Sequence, residues 1–317
     1  MALPSAAARP AAAPAGTAVQ EARPGGRRAG GGAAGDVTQI VDTHAHPQSQ
    51  AFDADRAAVL ERARAAGVTT IIVVGTDPVS NRAALALAHT EPGLWATVGI
   101  HPHDAKDATP ADWEEVEHLA ADSLVVALGE MGLDFYRNLS PPETQRTAFQ
   151  RQLELCARLD LPAVIHSRDA EDATWEMVAP WARARRRAGA REPLGVMHCY
   201  AYGPGRALEY VALGFLISIP GTVTYPNNHR LHAVARAVPE EALVLETDSP
   251  YLTPQSRRGR RNEPAYLVET LHTVAELRGV PAAALADATA ANARRLFRLA
   301  QREQVAARSP TSPEFRP

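Results

Sequence analysis

Short apolar runs recur along the chain, almost free of charge until their last residue, with amphipathic stretches between them. They occupy residues 39–46, 69–75, 95–101, 124–130, 163–166, 195–198, 215–219 and 243–248. Strands buried on both faces of a parallel sheet read this way. Residues 56–66, 112–120, 143–159 and 170–187 instead carry the spacing of amphipathic helices. Gly67 supplies a stop after the first of these, and Gly214 precedes the seventh run. Eight such β-α units predict the α/β class and a (β/α)8 TIM barrel, a fold of about 250 residues. An open doubly wound sheet would place a glycine-rich phosphate loop after the first strand, where this chain has histidines. Neither an internal repeat nor a linker divides residues 37–304, so one domain is expected there.

The flanks differ in composition. Residues 1–36 are almost entirely Ala, Pro, Gly and Arg, with Val19 the single large aliphatic after Leu3. Such a segment buries too little apolar surface to offset its ordering entropy, and disorder is expected. Arg27-Arg28 lacks the apolar stretch that an export signal would need after it. Residues 305–317 read as a loose tail. The whole chain of 317 residues is 45% hydrophobic and 22% charged, with a formal net charge of −3. No apolar run approaches the roughly 18 residues of a spanning helix, so no membrane association is expected. Cys156 and Cys199 are the two cysteines, which excludes a disulfide framework and a thiolate zinc cluster. That usage suits a reducing, cytoplasmic setting.

Chemistry gathers at the C-terminal ends of the runs, where barrels of this type build their sites. The first ends in Asp42-Thr43-His44-Ala45-His46, and strand alternation puts Asp42, His44 and His46 on one side. The third ends in His101-Pro102-His103, the fourth in Glu130 with Asp134 just beyond, and the fifth in His166-Ser167-Arg168. The sixth ends in His198 and the eighth in Glu246-Thr247-Asp248. Of 11 histidines, six (44, 46, 101, 103, 166 and 198) fall at predicted strand ends. A lone His166 or His198 would read as a core histidine, and a lone Asp248 as the cap of the Ser249-Pro250 turn. Five strands ending in metal-competent side chains do not share that explanation. Imidazoles and carboxylates without thiolate suit Zn, Mn, Co or Ni, and accommodate Mg when water and substrate oxygens complete the shell. Six ligands exceed the needs of one tetrahedral ion, and Glu130, on a middle strand, can bridge two ions about 3.5–4 Å apart.

These residues resemble the TatD family of metal-dependent deoxyribonucleases, within the amidohydrolase-like barrels. The resemblance runs from about Ile40 to Leu299. Its further motifs are Gly99-Ile100-His101-Pro102-His103, Gly129-Glu130-Met131-Gly132-Leu133-Asp134, His198-Cys199, Glu246-Thr247-Asp248-Ser249-Pro250 and Arg261-Asn262-Glu263-Pro264. It implies His44, His46, Glu130, His166, His198 and Asp248 as ligands of two divalent ions (Mg, Mn or Zn), with Glu130 bridging. It also implies hydrolysis of phosphodiesters by an exonuclease. Arg260 stands where the family commonly has Lys, and Tyr200-Ala201-Tyr202-Gly203 replaces the usual Phe-Ser-Gly after the His-Cys pair.

On this reading Asp248 and Glu130 are the catalytic carboxylates, Asp248 orienting a water and accepting its proton. His101, His103, Arg168 and Arg260 are expected to hold phosphate oxygens, since guanidinium forks offer paired donors. Asp134 is expected behind the ligands as a supporting partner, and Glu263 either there or holding the loop after the eighth strand. A net negative charge is unusual for a protein that binds nucleic acid through many phosphates. It fits an enzyme that grips a strand end through its metals and the patch Arg257-Arg258-Gly259-Arg260-Arg261. The expected partner is thus the end of a DNA strand, with no obligate protein partner. The rivals are a D-aminoacyl-tRNA deacylase on the same metals and a non-catalytic metal or nucleic-acid binding module. A small-molecule amidohydrolase would often carry a metal-bridging lysine, and Lys106, the one lysine, lies in a loop.

Overall fold

In a computed structural model, which describes residues 39–299, the eight runs form one parallel sheet in strict chain order. The strands are β1 (Ile40–Ala45), β2 (Val68–Val74), β3 (Leu94–Val98), β4 (Val125–Asp134), β5 (Ala163–Arg168), β6 (Gly195–Met197), β7 (Phe215–Ile219) and β8 (Leu243–Leu245). The ring closes where Ala45 and Ser249 form a parallel bridge. At that seam His46 N donates to Ser249 O at 2.7 Å and Asp248 N donates to His44 O at 2.9 Å. The extension 1–36 and the tail 305–317 lie outside the described residues.

Helices sheath the ring: α1 (Arg56–Ala65), α2 (Pro78–Thr90), α3 (Pro110–Leu119), α4 (Pro142–Leu159), α5 (Glu171–Arg187), α6 (Pro204–Ala212), α7 (His229–Ala237), α8 (Leu267–Arg278) and α9 (Ala282–Phe297). Their starts follow local chemistry. Asp77 caps α2 by accepting from Val79 N and Ser80 N, with Pro78 at the first turn. Thr109 and Asp112 form a reciprocal capping box on α3. Two helices follow β8, and Asn292 on α9 donates to Leu243 O at 2.8 Å, holding β8 from outside. With helices outside and side chains filling the ring, every residue of β1, β3 and β4 is buried. That double burial is why the sequence shows unbroken apolar runs rather than alternation.

Several strand ends differ from expectation. β3 stops at Val98 rather than reaching His101. Its next residues bond side chains instead of a neighbouring strand. Asn81 on α2 accepts from Gly99 N at 3.1 Å and donates to Gly99 O at 3.0 Å. Gln152 on α4 does the same for Ile100, at 2.9 and 3.0 Å. β8 likewise ends at Leu245, because Thr247 N donates to the Asp42 carboxylate. β4 departs the other way, continuing four residues past Glu130 to Asp134. Gly132 permits this: its φ is +138°, and a Cβ there would lie 1.9 Å from His166 O on β5. Glu130 therefore sits inside a strand, its charge facing the mouth of the ring.

Candidate metal centre

All six predicted ligands meet at the C-terminal mouth of the barrel, and all but His44 line a cavity of about 860 Å³ there. Glu130 is central. Its carboxylate lies within 4.0 Å of five imidazoles: His44 at 3.3 Å, His46 at 4.0, His101 at 3.5, His166 at 2.9 and His198 at 3.2. Burial disfavours the carboxylate anion, but His198, His101 and His44 together outweigh it and hold the group well below the usual range. Asp248 Oδ1 stands 3.3 Å from His46 Nε2 and 3.8 Å from His44 Nε2.

The donors form overlapping groups whose ligand atoms lie within 4.8 Å of one another: His44-His46-Glu130, His44-His198-Asp248 and His101-Glu130-His166. A fourth such group, His198-Cys199-Glu246, shares His198 with the second. His101, expected to hold phosphate, thereby stands among the candidate metal donors.

The ring nitrogens fit a cation. His46 Nδ1 lies 2.8 Å from Val74 O, and a carbonyl can only accept, so Nε2 is left with its lone pair toward the cluster. His198 Nδ1 likewise faces Glu246 at 3.1 Å, leaving Nε2 toward Glu130. His44 and His46 point Nε2 atoms at each other 3.3 Å apart, and both lone pairs can be satisfied at once by a positive ion. His44 Nδ1 is buried without a hydrogen-bond partner, and the ring nitrogens of His166 face only carboxylates, Glu130 at 2.9 Å from Nδ1 and Asp134 at 3.4 Å from Nε2. Burial and His198, whose ring stacks on that of His44 at 3.6 Å, make protonation of His44 harder. Nitrogen and carboxylate donors of this kind suit divalent ions of intermediate hardness.

Behind the ligands stands a layer of polar support. Asp134 lies 2.8 Å from His103 Nε2 and 3.4 Å from His166 Nε2, in the position expected of a supporting partner. Gln145 on α4 holds the Asp134 backbone, accepting from its N at 2.8 Å and donating to its O at 3.1 Å. Glu246 was passed over in the sequence, although it opens the Glu246-Thr247-Asp248 motif. Asp42, grouped with His44 and His46 by strand alternation, has another task. Its two oxygens accept from Thr247 N at 3.0 Å and Thr247 Oγ1 at 2.6 Å, tying β1 to the segment after β8. Burial pushes its carboxyl up to about 7 despite these bonds.

One expectation requires correction. Arg260 does not line the metal cavity; it lines a separate hollow with Arg62, Arg257, Arg261 and Glu263. Two of the four arginines of that basic patch are neutralised: Arg257 pairs with Glu269 at 3.0 Å and Arg261 with Asp55 at 2.7 Å. Glu263 grips Arg62 of α1 with both oxygens, at 2.9 and 2.6 Å, and so fastens the loop after β8 rather than a metal ligand. His103 and Arg168 do line the cavity, as does Arg137, which carried no motif.

Residues 41–298 match the model of the TatD-related DNases. The chain belongs to the TatD-related DNase family. Among its TatD relatives, the 3'-5' ssDNA/RNA exonuclease TatD of Pectobacterium carotovorum subsp. carotovorum is 39% identical over 267 residues, covering 82% of this chain and 100% of that protein. The metal-dependent hydrolase YabD of Bacillus subtilis is 36% identical over 260 residues, covering 82% and 99%. The crystal structure of the TatD homologue YjjV from Escherichia coli superposes with a TM-score of 0.77 at 31% identity, covering 83% of this chain and 99% of that one.

Proposed function

We propose that this TatD-family protein is a metal-dependent exonuclease that hydrolyses phosphodiester bonds at the end of single-stranded DNA or RNA. The observation that carries the proposal is Glu130, a buried carboxylate ringed by five imidazoles at the floor of an open cavity. Two divalent ions, Mg, Mn or Zn, are the proposed cofactors. His44, His46, His166, His198 and Asp248 would hold them, with Glu130 shared and His101 beside it. When bound, such ions acidify water and offset charge on the phosphate.

The protein's own groups do the rest. Asp248 is only partly exposed, and desolvation works against its anion, yet His46, His198 and His44 hold its carboxyl below the usual range. Its Oδ1 faces His46, which leaves Oδ2 to orient the attacking water and accept its proton. His103, held through Nε2 by Asp134 at 2.8 Å, lines the cavity where the phosphate would lie. Arg168 and Arg137 at the cavity wall supply guanidinium donors for neighbouring phosphates. The 3'-5' direction of the Pectobacterium relative, a cytoplasmic location and independence of a protein partner belong to the same proposal.

The test is cleavage of end-labelled single-stranded DNA with added Mg²⁺ or Mn²⁺, beside the Asp248→Asn variant. Stepwise shortening that falls by at least about a hundredfold in the variant is expected, the scale of losing a general base. Metal-loaded protein that leaves the strand intact would overturn the proposal.

A further inference from the structure

Large apolar side chains left exposed on this fold are few, and they are not scattered. Among the described residues they are Val79, Tyr136, Leu139, Leu208 and Tyr251. All but Leu208 lie on segments following the C-terminal ends of strands: Val79 after β2, Tyr136 and Leu139 after β4, Tyr251 after β8. Tyr136 and Tyr251 are each 61% exposed, which a fold without a use for them would avoid by placing polar residues there.

Hydrogen bonds hold the backbone at or beside each ring; next to Tyr136, Phe135 N donates to Arg168 O at 2.9 Å. Tyr251 N donates to Asp248 O at 2.8 Å, and Asn262 Nδ2 donates to Tyr251 O at 2.6 Å. Its ring lines the metal cavity and meets His46 edge-on at 6.1 Å. Tyr136 follows Asp134 by two residues, and the Arg168 guanidinium covers its ring at 4.0 Å. Arg168 and Arg137 both line the cavity, so cationic donors for phosphate stand beside an aromatic face. Because the strands run in order around the ring, β4 and β8 lie on opposite sides. The two tyrosines therefore follow strands on opposite sides of the ring, Tyr251 on the cavity wall and Tyr136 beside its lining residues Arg137 and Arg168.

We infer that Tyr251 and Tyr136 are stacking platforms for unpaired bases on the two sides of the scissile phosphate, and that they select single strands. Rigid aromatic rings next to arginines are what an unpaired strand needs: π faces for bases, cations for its backbone. Leu139, also exposed, lines the same cavity as Tyr251. The inference deepens the exonuclease reading and rests on it for the position of the scissile bond.

The decisive measurement is equilibrium binding of a fluorescent, cleavage-resistant phosphorothioate oligothymidylate to metal-loaded protein, followed by anisotropy. Tyr251→Ala and Tyr136→Ala are each expected to weaken binding by about 5- to 150-fold, the range for losing one stacked base. Tyr251→Phe and Tyr136→Phe, which keep the rings, restore it. An abasic oligomer of equal length should bind wild type and alanine variants alike. If wild type binds the oligonucleotide and both alanine variants bind it equally well, the platforms are refuted while the exonuclease proposal stands. If binding follows the rings but no phosphodiester is cleaved, the inference holds and the exonuclease proposal falls. Equal losses on abasic and normal strands would also refute stacking.

Discussion

Glu246 faces His198 Nδ1 at 3.1 Å and simultaneously accepts the Cys199 amide at 2.7 Å. A single carboxylate thus sets the orientation of an imidazole and of the chain that follows it. Burial works against the His198 cation, but Glu246 and Glu130 overcome it, so the ring sits where positive charge is favoured.

Replacing Glu246 with Gln must present an NH2 group to one of two donors. The ring of His198 then loses its fixed tautomer. Metal affinity is expected to fall by about 10- to 100-fold, the usual effect of losing such a partner. Competition titration with a chromophoric chelator reads this directly; an unchanged dissociation constant would show that Glu246 only packs.

Removing metal should also be visible in stability. An ion present at about 100 times its dissociation constant contributes about 2.7 kcal/mol. For a barrel of this size, that corresponds to a fall in Tm of roughly 5–10 °C on chelation. Calorimetry before and after chelation, with recovery on adding Mn²⁺, is the check. A Tm that does not move, in protein verified to have lost its metal, would contradict the fit of the donors.

Gly132→Ala tests the geometry that lets β4 run past Glu130. The new methyl group would lie 1.9 Å from His166 O, at a φ of +138°. Steric displacement and backbone strain together are expected to cost about 2–5 kcal/mol in urea unfolding. Metal content should fall with it, because Glu130 and His166 are the residues displaced. A loss below about 1 kcal/mol would mean that the strand relaxes freely.

Far from the cavity, Asp160 joins two helix ends. It accepts from Arg185 at 2.6 Å and from Arg298 at 3.0 Å. Partial burial raises its carboxyl, yet the two guanidinium groups win and hold it below the usual range. A depressed carboxylate contributes stability that is fully present above its unfolded pKa of about 3.9 and is lost as pH falls through the lower folded value. Asp160→Asn should therefore cost about 0.5–1 kcal/mol at pH 7, since the pair is half-exposed. Urea midpoints of the two proteins should converge once pH falls below the depressed folded value of Asp160. Persistent separation there would assign the effect to the helix cap instead.

Much of this was legible from the chain because parallel strands buried on both faces leave unbroken apolar runs and because ligands must sit at their ends. His44, His46, His166, His198 and Asp248 announced themselves by position. Other features left weaker traces. Glu130 looked like a strand terminus, since a charge normally ends an apolar run, but five imidazoles offset it and the strand continues. Arg260 sat in an eye-catching run whose neighbours are taken up by Glu269 and Asp55 on other elements. Asn81, Gln145 and Gln152 were silent because an amide inside an amphipathic helix resembles any polar position. Only tertiary contact shows each one holding both backbone groups of a residue near the site.

Thr247 hangs from Asp42 across 205 positions of sequence. The ring's seam is therefore also where the first and last ligands of the metal centre meet. During synthesis His44 and His46 leave the ribosome early, whereas Asp248 follows only when most of the barrel already exists. A chain interrupted before that point carries imidazoles without the carboxylate that completes His44-His198-Asp248. The candidate donor set is thus completed only by the segment that also closes the ring.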